Sequence, residues 1–154
     1  MTVELKERFA PWISTLEAAD AAGKEPSKAD WESDNTPIHP LRLAREVDNF
    51  MDREDDIVVA DGGDTTTWMG MTRTMKKPGH YLDYGIFGSL AVGLPYANAA
   101  KLRNPDKRVL LITGDGSVGF NFMEFENAIR KNLPIVVVIS NDLSWGMRIG
   151  RAHV

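Results

Sequence analysis

The sequence predicts an α/β fold built on a parallel sheet, and three observations carry that reading. Residues 108–113 (RVLLIT) and 134–140 (PIVVVIS) are near-continuous apolar runs, the pattern of strands buried on both faces. Residues 122–132 between them have a helical pattern, and a strand–helix–strand unit of this length requires parallel strands. A third apolar run, Ile57-Val58-Val59-Ala60, is likewise followed by helical sequence.

Along the chain, Leu5, Phe9, Trp12, Ile13 and Leu16 recur at helical spacing. Proline suits a first turn better than a helix interior, so this helix is expected to start at Pro11 and end before Gly23. Residues 24–37 are polar and unpatterned, and read as a linker. Pro40 opens a second amphipathic helix carrying Leu41, Leu43, Ala44, Val47, Phe50 and Met51. A charged turn at 52–56 leads to the strand 57–60, and DGGDTTTW then reads as a loop. Residues 66–74 are expected to be helical, with Met69, Met71 and Met75 as core filler. A glycine-rich turn at 79–88 enters the helix LAVGLPYANAAKL, and Asn104-Pro105-Asp106 is a turn before the strand at 108. Three strands can be read in all.

Composition narrows the function classes. The net charge of −4 gives no basic footprint for nucleic acid. The absence of cysteine excludes disulfides and thiolate metal sites. The longest aliphatic run, residues 135–139, is too short to span a bilayer, and the first residues lack a signal-peptide pattern. The expectation is a cytoplasmic protein without nucleic-acid or membrane partners. His39, His80 and His153 are isolated and lack metal-ligand spacing. Arg73, Lys76 and Lys77 read as a solvated charged turn rather than a phosphate site.

The chemistry gathers at the strand ends. In an open parallel sheet, ligands bind beyond the carboxyl ends of the strands. Here those ends are Asp61-Gly62-Gly63-Asp64-Thr65, Gly114-Asp115-Gly116-Ser117 and Asn141-Asp142-Leu143-Ser144-Trp145-Gly146. Glycines ahead of a helix let backbone N–H groups approach a phosphate. Asp115 alone would repel that anion, unless a divalent cation lies between them. Mg²⁺ commonly uses one or two carboxylates together with phosphate oxygens, and Asp142 at the next strand end supplies the second. A GDG after a strand is by itself compatible with a bland surface turn; the matched Asp142 favours a metal–diphosphate site. No dinucleotide fingerprint or P-loop is present.

The stretch GDGSVGFNFMEFENAIRKNLPIVVVISND resembles the thiamine diphosphate motif of the acetolactate synthase and pyruvate decarboxylase superfamily. That motif opens with GDG and closes at the next strand end, usually with paired asparagines. The likeness extends through PIHPLRLAREV, VVADGGDTTTW and YLDYGIFGSLAVGLPYANAAKLRNPDK to NDLSWGM, roughly residues 37–147. The DGGD loop, LDYGIFGSLAVG and Asn-Asp in place of Asn-Asn look most like the acetolactate-synthase-like branch, which includes 2-hydroxyacyl-CoA lyases. The resemblance implies a doubly wound parallel sheet, with Asp115, Asp142 and the Ser144 main-chain oxygen on Mg²⁺. Gly114, Gly116 and Ser117 would hold the diphosphate, and Gly63 and Asp64 would close over it. A carboxylate at 64 beside a phosphate needs a proton, the metal or another cation. Gly88 and Leu90 would contact the aminopyrimidine through backbone groups, with the Leu90 side chain wedged beneath the bent cofactor. Trp145, Gly146 and Met147 would lie along it.

The resemblance further implies a small 2-oxo acid or 2-hydroxyacyl thioester as substrate and a homo-oligomer in the full-length form. An activating glutamate would come from a first domain, usually of a second subunit, and nothing here resembles that domain. Residues 1–36 are thus expected to be a helix and linker, and 37–154 an incomplete pyrophosphate-binding domain, since RIGRAHV does not continue the pattern. On that expectation the isolated chain self-associates and does not turn over. The alternatives are an inactive cofactor-binding fragment or regulatory subunit, and a phosphate- or flavin-binding α/β module.

Overall fold

The computed structural model describes residues 3–144 and Gly146. Helix α1 (Val3–Lys24) is followed by a 3₁₀ turn (Glu25–Ser27), the short α2 (Lys28–Trp31) and α3 (Pro40–Phe50). Then come β1 (Ile57–Asp61), α4 (Gly63–Thr72), β2 (Tyr81–Leu82), a 3₁₀ turn (Gly85–Phe87) and α5 (Gly93–Arg103). The chain continues through β3 (Val109–Gly114), α6 (Asp115–Phe120), α7 (Glu124–Arg130) and β4 (Val136–Ser140). The four strands form one parallel sheet in the order β2-β1-β3-β4.

Strand periodicity divides the core between two faces. Val58 and Ala60 of β1, with Leu110 and Ile112 of β3, pack against Ala44, Val47 and Met51 of α3 and Met69 of α4. Ile57 and Val59, with Val109 and Leu111, point the other way, onto Leu94, Ala97 and Ala100 of α5 and Val118 of α6. Every residue of β1 is buried, as is all of β3 up to its final glycine. Strand β4 differs from the doubly covered strand expected: it lies at the sheet's edge, and Val136 and Ile139 are exposed.

The order of the strands locates the ligand end. From β1 the chain crosses to β2 on one side, then returns over β1 to β3 on the other. The direction of winding therefore reverses between β1 and β3, and a crevice opens outside their carboxyl ends.

Several boundaries depart from the sequence reading. Pro11 lies inside α1 rather than at its start. The residues around it are exposed, so water can take the carbonyl that proline leaves without a donor. Part of the expected linker is helical, and Trp31 in α2 donates from Nε1 to Thr72 Oγ1 at 3.1 Å. DGGDTTTW is not a loop: α4 begins at Gly63. Strand β2 was not legible; it exists through pairing with the free edge of β1, Val58 to Tyr81 and Val59 to Leu82. Arg73 is buried rather than solvated. Its guanidinium donates to Asp48 Oδ1 at 2.8 Å and to the Met51 carbonyl at 2.9 Å, tying α4 to the end of α3.

At the end of the sheet opposite the crevice, the Asp56 side chain is fully buried and takes bonds from Arg53 N–H and Arg108 Nε. Arg108 Nη2 also reaches Asp56 and Asp52, and the hydrogen bond from Arg108 holds the Asp52 carboxyl below its ordinary value. Arg108→Leu leaves Asp56 only a backbone donor. The expected cost is about 2 kcal/mol in a urea melt, the worth of a charge-assisted bond, with ligand binding at the far crevice unchanged.

Candidate functional site

The crevice is a cleft of about 420 Å³ lined by the loops and helix starts that follow β1, β3 and β4. Register brings them level: Asp61 pairs with Thr113, and Gly114 with Ser140. From the first strand end come Gly62, Gly63, Asp64, Thr65 and Trp68; from the second come Gly114, Asp115, Gly116 and Ser117. The third contributes Ser140, Asp142, Ser144 and Gly146, and the segment after β2 contributes Tyr84, Gly88 and Leu90.

GDG does not precede a helix but opens one. Gly114 is the N-cap of α6, and Asp115 is its first residue. The opening N–H groups of any helix lack intrahelical acceptors, so those of α4 and α6 are donors at the cleft wall. The two helix starts nearly touch. Gly62 has φ +91°, and a Cβ there would lie 3.2 Å from Gly114 N, so both conformation and space demand glycine.

Asp61 organises this end of the sheet from beneath. It is buried, its Oδ1 accepts the Gly62 N–H at 2.8 Å, and its Oδ2 accepts the Gly93 N–H at 2.8 Å. One carboxylate thereby fixes the turn into α4 and satisfies the first N–H of α5. Gly93 must approach closely: a Cβ on it would meet Leu111 Cδ1 at 2.6 Å and Asp61 Cβ at 2.7 Å.

The second layer of bonds reaches the Leu90 segment. Buried Ser117 accepts the Ala91 N–H on Oγ at 3.0 Å, and Asn121 Nδ2 donates to the Ala91 carbonyl at 2.9 Å. Across the cleft, Asp142 Oδ1 accepts the Ser144 N–H at 3.0 Å, forming an Asx turn. A Cβ on Gly146 would fall 2.0 Å from Asp64 Oδ2, so the first and third loops meet there.

Of the residues singled out from sequence, Gly63, Asp64, Gly88, Leu90, Gly114, Asp115, Gly116, Ser117, Asp142, Ser144 and Gly146 all line this one cleft. Trp145, Met147 and His153 lie outside the described residues. Gly62, Thr65, Trp68, Tyr84 and Ser140 also line it and were not singled out. Asp64, Thr65 and Trp68 share one helical face, a pattern hidden by reading DGGDTTTW as a loop.

The lining includes three carboxylates, Asp64, Asp115 and Asp142, and no lysine, arginine or histidine among the described residues. Among the described residues, none of those lining the cleft offers an anion a side-chain cation. Nor does any group of three or more His, Asp or Glu among the described residues gather closely enough to hold a metal alone. Both features suit a hard cation that shares its shell between one or two carboxylates and oxygens of its ligand.

The model of the family described as thiamine pyrophosphate enzyme, C-terminal TPP binding domain, matches residues 61–152. That span contains every described residue lining the cleft. The probable acetolactate synthase of Mycobacterium bovis is 39% identical over 136 residues, 88% of this chain and 25% of that protein. The 2-hydroxyacyl-CoA lyase 2 of Danio rerio is 34% identical over 145 residues, 93% of this chain and 23% of that protein. The probable acetolactate synthase large subunit of Methanococcus aeolicus is 29% identical over 146 residues, 92% of this chain and 24% of that protein. The chain spans about a quarter of the length of these relatives. No helix among the described residues is long and apolar enough to cross a membrane.

Proposed function

Since the chain belongs to the thiamine pyrophosphate enzymes, carrying their C-terminal TPP-binding domain, we propose that its cleft holds thiamine diphosphate through Mg²⁺. On this reading it serves an acetolactate-synthase-like carboligase, lyase or decarboxylase acting on a 2-oxo acid or a 2-hydroxyacyl thioester. A cleft walled by two helix starts and three carboxylates, with no basic side chain among the described residues, is the observation that carries the metal–diphosphate assignment.

The cofactor, when bound, supplies a carbon nucleophile and an electron sink for making and breaking bonds beside a carbonyl. The chain's own residues bind and orient it. Asp115, Asp142 and the Ser144 carbonyl offer hard oxygen donors that fit Mg²⁺. Backbone N–H groups of Gly116 and Ser117, in the first turn of α6, would hold the phosphates. Ser117 Oγ already accepts from Ala91, which leaves its proton to donate to a phosphate oxygen. Gly63 and Asp64 close the cleft from α4, and Gly88 and Leu90 would meet the organic part of the cofactor. The activating glutamate would come from the portion of such enzymes outside the quarter that this chain spans.

Calorimetric titration of thiamine diphosphate with and without Mg²⁺ tests the reading. Binding that requires the metal and is abolished by EDTA is expected; metal-independent binding, or none, overturns it. Asp142 adds a negative charge at an exposed position of the metal shell. Asp142→Asn is therefore expected to weaken Mg²⁺ binding about tenfold, on the order of 1–2 kcal/mol for a charge facing a divalent ion. Equal or tighter binding by the variant would remove Asp142 from the metal.

A further inference from the structure

We infer that Asn121, which does not line the cleft, is a positioning residue that sets the direction of Leu90. Ala91 has φ +74°, a left-handed conformation in which its Cβ crowds the following carbonyl oxygen. It is buried, and its peptide groups are gripped from both sides. Ser117 Oγ holds the N–H at 3.0 Å, and Asn121 Nδ2 holds the carbonyl at 2.9 Å. Strain of this kind persists only where the surroundings over-determine it. The residue it serves is Leu90, immediately before, which lines the cleft. If the grip is released, Ala91 relaxes toward a right-handed conformation and turns the Leu90 peptide with it.

The two grips differ in what else they touch. Ser117 lines the cleft beside Gly116, whereas Asn121 caps the C-terminal end of α6 and is not among the residues lining the cleft. Asn121 therefore acts on the organic part of the ligand without reaching the phosphates. This assignment rests on the cofactor reading above and adds a division of labour to it: α6 anchors phosphate through its first turn and shapes the opposite wall through its C-cap residue.

The full chain and its Asn121→Ala variant are titrated with thiamine diphosphate and, separately, with inorganic diphosphate, each with Mg²⁺. Inorganic diphosphate presents the phosphates but nothing for Leu90 to meet. Thiamine diphosphate is expected to bind roughly three- to tenfold more weakly to the variant, the worth of one hydrogen bond, and inorganic diphosphate equally to both. Adding Ala91→Gly to Asn121→Ala should recover much of the loss, because glycine adopts the left-handed turn without strain. Hydrogen exchange of residues 88–93 should also be faster in cofactor-free Asn121→Ala than in the parent. Unchanged affinity, an equal loss for both ligands, or no rescue by glycine would overturn the inference. If the parent chain binds inorganic diphosphate but not thiamine diphosphate, the cofactor reading fails and takes the ligand part of this inference with it. The exchange comparison then still decides whether Asn121 holds the turn.

Discussion

Asp115→Ala is expected to weaken thiamine diphosphate binding by at least about 100-fold, beyond the 10–100-fold typical of groups that merely support a metal's ligands. The sign makes the experiment decisive. Asp115 stands in a cleft whose described lining includes Asp64 and Asp142 but no basic side chain. If the diphosphate bound there without a cation, removing a carboxylate would relieve repulsion and tighten binding. If Mg²⁺ bridges Asp115 to the diphosphate, the same change loosens it. The fold should tolerate the substitution: Asp115 is half-buried in the first turn of a short helix, a position worth about 0.3–1 kcal/mol through the helix dipole. A variant with an unaltered melt and cofactor affinity within twofold of the parent would exclude Asp115 from the metal.

Gly93→Ala should be the most damaging single methyl group that can be added near the site. The new carbon would sit 2.6 Å from Leu111 Cδ1, 2.7 Å from Asp61 Cβ and 2.9 Å from Asp61 Oδ2. Neither neighbour can step aside. Leu111 is fully buried in a central strand, and Asp61 is held by the N–H groups of Gly62 and Gly93. Overpacking of this kind costs about 3 kcal/mol, at the upper end of its usual range, which lowers the melting temperature by roughly 6–12 °C in a chain of this size. Displacing Asp61 also frees the turn into α4, so cofactor affinity should fall with stability. Gly70→Ala is the control: nothing lies within 4 Å of the added carbon on this exposed helical position. It should be neutral or stabilising by up to about 1 kcal/mol. A melt for Gly93→Ala as high as the control's would refute the close-packing account.

The central strands and their ends were legible because burial on both faces leaves a plain mark, an unbroken apolar run that stops at glycine and aspartate. Asp115 and Asp142 drew attention as matched acids at two strand ends, whereas Gly88 and Leu90, which lie at no such end, were singled out only through the family resemblance. What escaped the sequence depends on partners far along the chain. Tyr81-Leu82 has no apolar run to announce it, and becomes a strand only because β1 offers an open edge. Arg73 looks like part of a basic turn until Asp48 and the Met51 carbonyl arrive from α3. Asp61 could be read as a strand-end acid, but its partner Gly93 is 32 residues away. The threonines of α4 argue locally against helix; Thr65 and Thr66 are buried there, so tertiary packing outweighed propensity.

The level ends of β1, β3 and β4 also bear on how such a protein can change over generations. Strands β3 and β4 end together, Gly114 opposite Ser140, β1 ends one residue earlier with Asp61 opposite Thr113, and side chains alternate between two filled faces. A one-residue insertion within β3 would send Leu110 and Ile112 to the face now filled by Leu111, and would carry Asp115 out of step with its neighbours. Lineages can therefore change the exposed connection at residues 74–79, between α4 and β2, far more freely than they can alter the strands. The spacing from Ile57 to Asp61 and from Val109 to Asp115, by contrast, is held fixed by the lattice of the sheet itself.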